Sequence, residues 1–296
     1  GITGNFDDAQ TAVKKMFNDR ELAAELDAAG FQFSSANSIN IGRLVPQIVY
    51  YVYAYSRLVG QGKVKAGDKI NVVVPTGNFG NILAAYYAKQ MGLPINKLVC
   101  ASNENKVLFD FFRTGTYDRK RDFILTTSPS MDILISSNLE RLLAHMGGQA
   151  ATKAEMESLN RDGVYHAEIT EKSISGEYAT EAETFAAIKA FYEKTGYVMD
   201  THTAVAYSVY AQLKAKGLIT APAVVLSTAS PFKFAPAMLT ALGEYANESC
   251  FDAADRLSAL TGLAIPNGLS GIRELCVLHT DVVDPAEMGA YIHSVL

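Results

Sequence analysis

Lys69-Ile70-Asn71-Val72-Val73-Val74 (KINVVV) runs directly into Pro75-Thr76-Gly77-Asn78-Phe79-Gly80-Asn81 (PTGNFGN), and residues 82–91 (ILAAYYAKQM) follow with helical composition. The first stretch is short and β-branched, as a strand buried on both faces must be. The second is a turn of small residues. The third ends on Gly92-Leu93-Pro94, a helix stop. Lys97–Ala101 then reads as another strand. Strand, turn, helix and strand make a βαβ unit, which requires a parallel sheet with helices packed on its faces. The expected fold class is α/β, a three-layer α/β/α parallel-sheet architecture.

Working outward, Asp7 with Gln10 reads as a capping box for a helix through Phe17. A second helix, Asp19 to Ala29, stops at Gly30. Ser34–Asn40 is a polar loop. Leu44–Val59 is a helix ended by Gly60. On the C-terminal side, the charged run Tyr117–Arg121 (YDRKR) reads as a solvated loop. A helix over Met131–Met146 stops at Gly147-Gly148, and Thr152 with Glu155 caps the next. Ser173–Tyr178 is a Gly- and Ser-containing break, and Thr180 with Glu183 caps a helix to Thr195-Gly196. Thr203–Lys216 is a helix and Ala223–Leu226 a strand. Cys276–His279 reads as a strand, and Asp284-Pro285 opens the last helix.

Of 296 residues, 49% are hydrophobic and 19% charged, which excludes a disordered chain. The net charge of −5 argues against a nucleic-acid binder without excluding a local anion site. Three widely spaced cysteines, Cys100, Cys250 and Cys276, fit a reduced, cytoplasmic setting better than a disulfide framework. No secretory signal opens the chain. The apolar tract Leu44–Tyr55 is shorter than the about 20 residues a membrane span needs. No membrane partner is expected.

The PTGNFGN turn is the most informative for chemistry. Gly77 and Gly80 allow a tight turn that exposes consecutive N–H groups, and the following helix adds its positive end, so an anion cradle can form. Asn78 and Asn81 can add side-chain donors. An ordinary βα turn fits the same pattern. There is no P-loop, and the dinucleotide fingerprint lacks its third glycine, although Glu104 stands where a ribose-binding acid would. Ser34–Arg43 (SSANSINIGR) reads either as an elaborate helix cap or as a polar cup for a phosphate or carboxylate, with Arg43 as the cation. In Ser227–Phe234 (STASPFKF) a Thr hydroxyl can meet a heteroaromatic nitrogen, and Lys233 can pair an anion or sit on the surface. His145, His166, His202, His279 and His293 have no ligand spacing, so no metal site is expected. His202, in Asp200-Thr201-His202-Thr203, begins a helix, as a structural cap or a site lining. Nothing supports nucleophilic hydrolysis.

These motifs, with NFDDAQ at Asn5–Gln10, SSANSIN at Ser34–Asn40, GR and PQIVYY at Gly42–Tyr51, and THTAVAY at Thr201–Tyr207, occur in the order found in the threonine synthases, which the chain resembles. The resemblance implies the tryptophan-synthase-β-like fold of pyridoxal 5'-phosphate enzymes. It implies conversion of O-phospho-L-homoserine and water to L-threonine and phosphate, the last step of threonine biosynthesis. It assigns the cofactor phosphate to Gly77, Asn78, Phe79, Gly80 and Asn81, and the pyridine nitrogen to Thr228. Asn37, Asn40, Arg43 and Lys233 become candidates for substrate contact. Ser230 and Phe232 depart from the His and Ala often found there.

The resemblance also implies a Schiff-base lysine motif and an S-G-D-T-G-type loop upstream of NFDDAQ, and neither is in this sequence. The chain therefore reads as a C-terminal portion of such an enzyme, expected to be inactive alone. Residues 1–30 would be the remnant of a smaller N-terminal domain and 31–296 the large cofactor-binding domain, acting as a monomer or homodimer. The alternatives are another pyridoxal-phosphate lyase or dehydratase of the same fold, a non-catalytic anion-binding fragment, and a nucleotide-dependent oxidoreductase.

Overall fold

Asn5 and Asp8 open the first helix, α1 (Phe6–Asn18). The Asn5 side chain accepts the Asp8 amide at 3.0 Å, and the Asp8 carboxylate accepts the Asn5 amide at 2.8 Å. This reciprocal cap starts two residues before the expected Asp7–Gln10 pair, because Asn5 reaches the amide three positions on. Asp19 caps α2 (Arg20–Ala28) by accepting the Glu21 and Leu22 amides, and Leu22 and Leu26 bury its apolar stripe. The computed structural model describes residues 1–36 and 39–296. It divides into two units, residues 1–36 with 268–296, and Asn37–Asn267.

In the first unit, Phe17 stacks on Phe33 with ring centroids 5.2 Å apart. Ile2 pairs with Val283 in a parallel bridge, and Asp284 caps the Pro285 turn leading into a closing helix, Met288–Val295. The strand expected at Cys276–His279 does not form. That stretch is irregular and exposed, and an apolar run without a neighbouring strand has no ladder to join.

In the second unit, Asn40 caps a short helix, α3 (Ile41–Leu44); a 3-10 turn at Val45–Gln47 carries Pro46; and α4 (Ile48–Gly60) follows. Then come β1 (Ile70–Pro75), α5 (Gly80–Gln90), β2 (Ile95–Ser102), α6 (Val107–Thr114) and β3 (Thr116–Asp118). They are followed by α7 (Leu139–Asp162), β4 (Val164–His166), β5 (Ile174–Tyr178), α8 (Glu181–Thr195), α9 (Thr201–Ala215), β6 (Ala223–Val225), α10 (Ala235–Ala241) and α11 (Cys250–Thr261). The main sheet runs β5-β2-β1-β6 with every pairing parallel.

Alternation along β1 and β2 creates three layers. Ile70, Val72, Val74, Leu98 and Cys100 enter one core with α4, α5 and α6. Val73, Val99 and Ala101 enter another with Val205, Val209 and Leu213 of α9. The expected α/β fold and βαβ unit are present.

Three local expectations are corrected. Residues 173–178 contain β5, because bare Gly176 lets α6 pack tightly: a β-carbon there would lie 2.8 Å from the Phe109 Cα. The charged run at 117–121 begins inside β3, where buried Tyr117 stacks on Tyr165 at 5.1 Å. The helix expected from Met131 starts at Leu139 and breaks at the expected Gly147-Gly148 stop, where Gly148 leaves the helical region at φ +82°. Helix resumes after it to Asp162, and Thr152 lies inside that stretch, returning its hydroxyl to the Gly148 carbonyl at 3.0 Å instead of capping it. Among the described residues no helix is long and apolar enough to cross a membrane.

Candidate functional site

β1 ends in the middle of the sheet, and the chain must turn there to enter α5. Thr76 extends the ladder, its amide on the Ala101 carbonyl at 2.9 Å. At Gly77 a β-carbon would lie 2.6 Å from the Ser130 carbonyl oxygen, so only glycine lets the turn approach that segment. Phe79 adopts φ +63°, and among the described residues it alone is a non-glycine with positive φ. Its ring is buried and stacks on Phe112 at 5.8 Å, which anchors the residue in a conformation its backbone disfavours.

As the residue before α5, Phe79 has no oxygen with which to cap it, and no side chain caps that end. The first-turn amides therefore face outward with the positive end of the helix dipole. The carbonyls of the turn are tied down on the other side. Ser136 Oγ donates to Gly77 O at 2.7 Å, and the Asn138 amide and Nδ2 donate to Asn78 O at 3.1 and 2.8 Å. A trans peptide sets each following N–H opposite its carbonyl, so the Asn78 and Phe79 amides point away from 136–138. Ser137 Oγ donates to Asn78 Oδ1 at 3.1 Å. Buried Tyr51 donates to Asn81, at its Oδ1 and at its carbonyl oxygen; burial raises the Tyr51 phenol well above its ordinary range and keeps it a donor.

Arg141 lies behind the turn. Its guanidinium donates to Asn138 Oδ1 and, at 2.8 Å, to Ile39 O, which fixes Ile39 beside Asn138. Of that loop's candidates, Asn40 accepts the Gly42 amide at 2.9 Å as the cap of α3. Arg43 is exposed on α3. Asn37 lies outside the described residues.

A second wall comes from the start of α9. Asp200 caps it, accepting the His202 and Thr203 amides and the Thr203 hydroxyl. Burial pushes the Asp200 carboxyl up, but hydrogen bonds from His202 and Thr203 outweigh it and hold it below its usual range. Thr203 Oγ1 accepts the amide of exposed Thr228 at 3.3 Å. Lys233 is exposed, its Nζ 5.8 Å from the Phe234 ring centroid, and that ring lies 4.8 Å from the His202 ring. Glu104 accepts the Glu181 amide at 3.3 Å. Cys100 is wholly buried, and burial drives its thiol up to about 12, which makes it an inert core group.

The structure thus gathers Gly77–Asn81 into one turn and ties Thr228 to the start of α9, whereas Lys233 is exposed and only its neighbour Phe234 packs on His202. Sequence reading missed Ser136, Ser137, Asn138 and Arg141. They stand more than 50 residues from the turn they secure, and no motif announces them. Chemically, the cradle can hold a dianion with backbone amides, and the second wall offers a neutral hydroxyl at Thr228.

A family described as threonine synthase, C-terminal, matches residues 203–264. Threonine synthase-like 1 of Homo sapiens is 47% identical over 251 residues, covering 82% of this chain and 33% of that protein. The threonine synthase of Saccharomyces cerevisiae is 36% identical over 269 residues, 84% of this chain and 51% of that protein. Among solved structures, the yeast threonine synthase superposes with a TM-score of 0.79 at 33% identity. The PLP-bound threonine synthase from Brucella melitensis superposes with a TM-score of 0.75 at 36% identity. Each covers 99% of this chain, which spans 58% of either solved chain.

Proposed function

We propose that this chain, which is similar in sequence and fold to part of the threonine synthases, supplies the phosphate-holding and ring-facing walls of a pyridoxal 5'-phosphate site. The observation that carries the reading is the start of α5: left-handed at Phe79, uncapped, with the carbonyls of Gly77 and Asn78 turned away from it. A phosphate dianion suits such a place, because outward amides and the helix dipole both favour negative charge. The bare Gly77 permits close approach of backbone.

In this assignment Gly77–Asn81 hold the phosphate. The Thr228 hydroxyl faces the pyridine nitrogen, and as a neutral group it leaves that nitrogen unprotonated. When bound, the cofactor supplies an electron sink for the substrate's reacting carbons. Asn37, Asn40, Arg43 and Lys233 are assigned to the phosphate and carboxylate of the substrate. The reaction assigned to the whole protein is O-phospho-L-homoserine and water to L-threonine and phosphate, the last step of threonine biosynthesis. Residues 1–296 hold no lysine in the F-K-D-type context, so this chain by itself is expected to bind cofactor without turnover.

The test is a titration with pyridoxal 5'-phosphate, followed by ³¹P NMR and competed with inorganic phosphate. Saturable binding displaced by phosphate supports the site, and no binding of either overturns it. Threonine formed by this chain alone would overturn the expected lack of turnover. The relatives named threonine synthase-like 1 favour a second reading, a lyase of the same fold acting on another amino acid. Activity on O-phospho-L-homoserine against serine or threonine, in protein that also carries the lysine, separates the two.

A further inference from the structure

We propose that His202 is a positioning residue that sets the distance between the phosphate cradle and the loop carrying Thr228. The inference rests on the cofactor reading above and deepens it. The imidazole is almost wholly buried, 4% exposed. Its Nε2 lies 3.1 Å from the Ser130 amide nitrogen, and its Nδ1 lies 3.2 Å from Asp200 Oδ1. A backbone N–H can only donate, so Nε2 must be bare and accept it. The ring proton then sits on Nδ1 and is donated to Asp200. One side chain thus reads two segments at once, with a fixed tautomer.

Each segment leads to one end of the site. On the Nε2 side, the Ser130 carbonyl is the atom against which Gly77 packs. On the Nδ1 side, Asp200 accepts the Thr203 hydroxyl, and Thr203 Oγ1 accepts the Thr228 amide. Thr201 Oγ1 donates to Thr127 O at 2.7 Å, a second tie between the same two segments. The continuous path is Gly77, Ser130, His202, Asp200, Thr203, Thr228. A cofactor held by its phosphate at one end and its ring nitrogen at the other needs that spacing constant. Inorganic phosphate needs only the first end.

The contrast between those two ligands is the test. His202→Gln places an acceptor near the Nε2 position and keeps the Ser130 bond, whereas His202→Asn reaches only the Nδ1 position. His202→Leu keeps neither. The Asn and Leu variants are expected to bind pyridoxal 5'-phosphate about tenfold or more weakly, and inorganic phosphate within about threefold of the parent chain. The Gln variant should stay near the parent for both. If the Leu variant does not fold, the Gln and Asn pair decides. A drop in both affinities together, or cofactor affinity unchanged in the Asn variant, overturns the positioning role and leaves the site intact. Failure of the parent chain to bind cofactor overturns the site and this inference with it. Independently of any ligand, ¹⁵N NMR of His202 should show a bare Nε2 and a protonated Nδ1. The opposite tautomer overturns the bridge.

Discussion

Gly77 and Ser130 meet so closely that a β-carbon on residue 77 would lie 2.6 Å from the Ser130 carbonyl oxygen and 3.2 Å from the Met131 Cα. Both neighbours are backbone, so neither can swing aside. Gly77→Ala must push the cradle away from the 128–132 segment. Overpacking of this kind costs about 1–3 kcal/mol, which urea unfolding will read, and binding of inorganic phosphate should fall with it. Gly147→Ala is the control. Its new methyl meets Ala151 Cβ at an ordinary 3.5 Å, within α7. Gly147 stands at the break before Gly148, so no mid-helix gain applies and stability should stay within about 0.5 kcal/mol of the parent.

Phe79 allows the backbone strain of the cradle to be measured. Phe79→Ala and Phe79→Gly both remove a buried ring, a loss of about 3–5 kcal/mol. They differ in what the left-handed backbone costs. Ala keeps a β-carbon at φ +63° and Gly does not. The Gly variant is therefore expected to be more stable than the Ala variant by about 1–2 kcal/mol, the reverse of the helix-propensity order. Equal stabilities, or Ala above Gly, would show that the turn is unstrained.

The layers and the turn between β1 and α5 were legible because both are local. The β-branched run 69–74, the small-residue turn and the Gly-Leu-Pro stop each follow from short-range sterics, and β1, α5 and β2 lie where those signals put them. What was not legible depends on distant partners. β5 hid behind Ser173 and Gly176, whose meaning appears only once α6 packs on that glycine. The segment 136–138 carries no pattern of its own and becomes informative only beside the Gly77 and Asn78 carbonyls. Residues 268–296 share a compact unit with residues 1–36 through chain-end contacts such as Ile2 with Val283, a grouping of distant segments that no local pattern announces. His202 was legible only as a residue at the start of a helix, a structural cap or a site lining; that Asp200 is the cap and that His202 reaches Ser130 depend on the folded structure.

Arg141 supplies a planar fork to two acceptors on different segments, Asn138 Oδ1 and Ile39 O. An ammonium cannot reproduce that geometry. Arg141→Lys and Arg141→Leu should therefore behave alike. Each should weaken inorganic phosphate binding about threefold to tenfold, since a charge-assisted bond behind the cradle is lost. Restoration by Lys would mean that positive charge, not the bridge, is what the site uses.

Asp200 makes the site sensitive to acid. Its carboxyl is held below the usual carboxylate range: burial opposes ionisation, and the hydrogen bonds from His202 and Thr203 more than offset it. A group whose folded pKa lies below its unfolded value stabilises the fold fully above the unfolded value, near about 3.9, and loses that contribution as pH falls through the folded one. The unfolding free energy of the parent chain should therefore decline as pH drops below about 4. Asp200→Asn cannot take part in that titration. It should be less stable than the parent at neutral pH, because the amide cannot accept as strongly from the four donors of His202 and Thr203, and its stability should fall less steeply in acid. The two curves should converge at low pH. Urea unfolding of both proteins across that range checks the sign. Parallel curves would mean that Asp200 has the same pKa folded and unfolded, and that the start of α9 is held by packing alone.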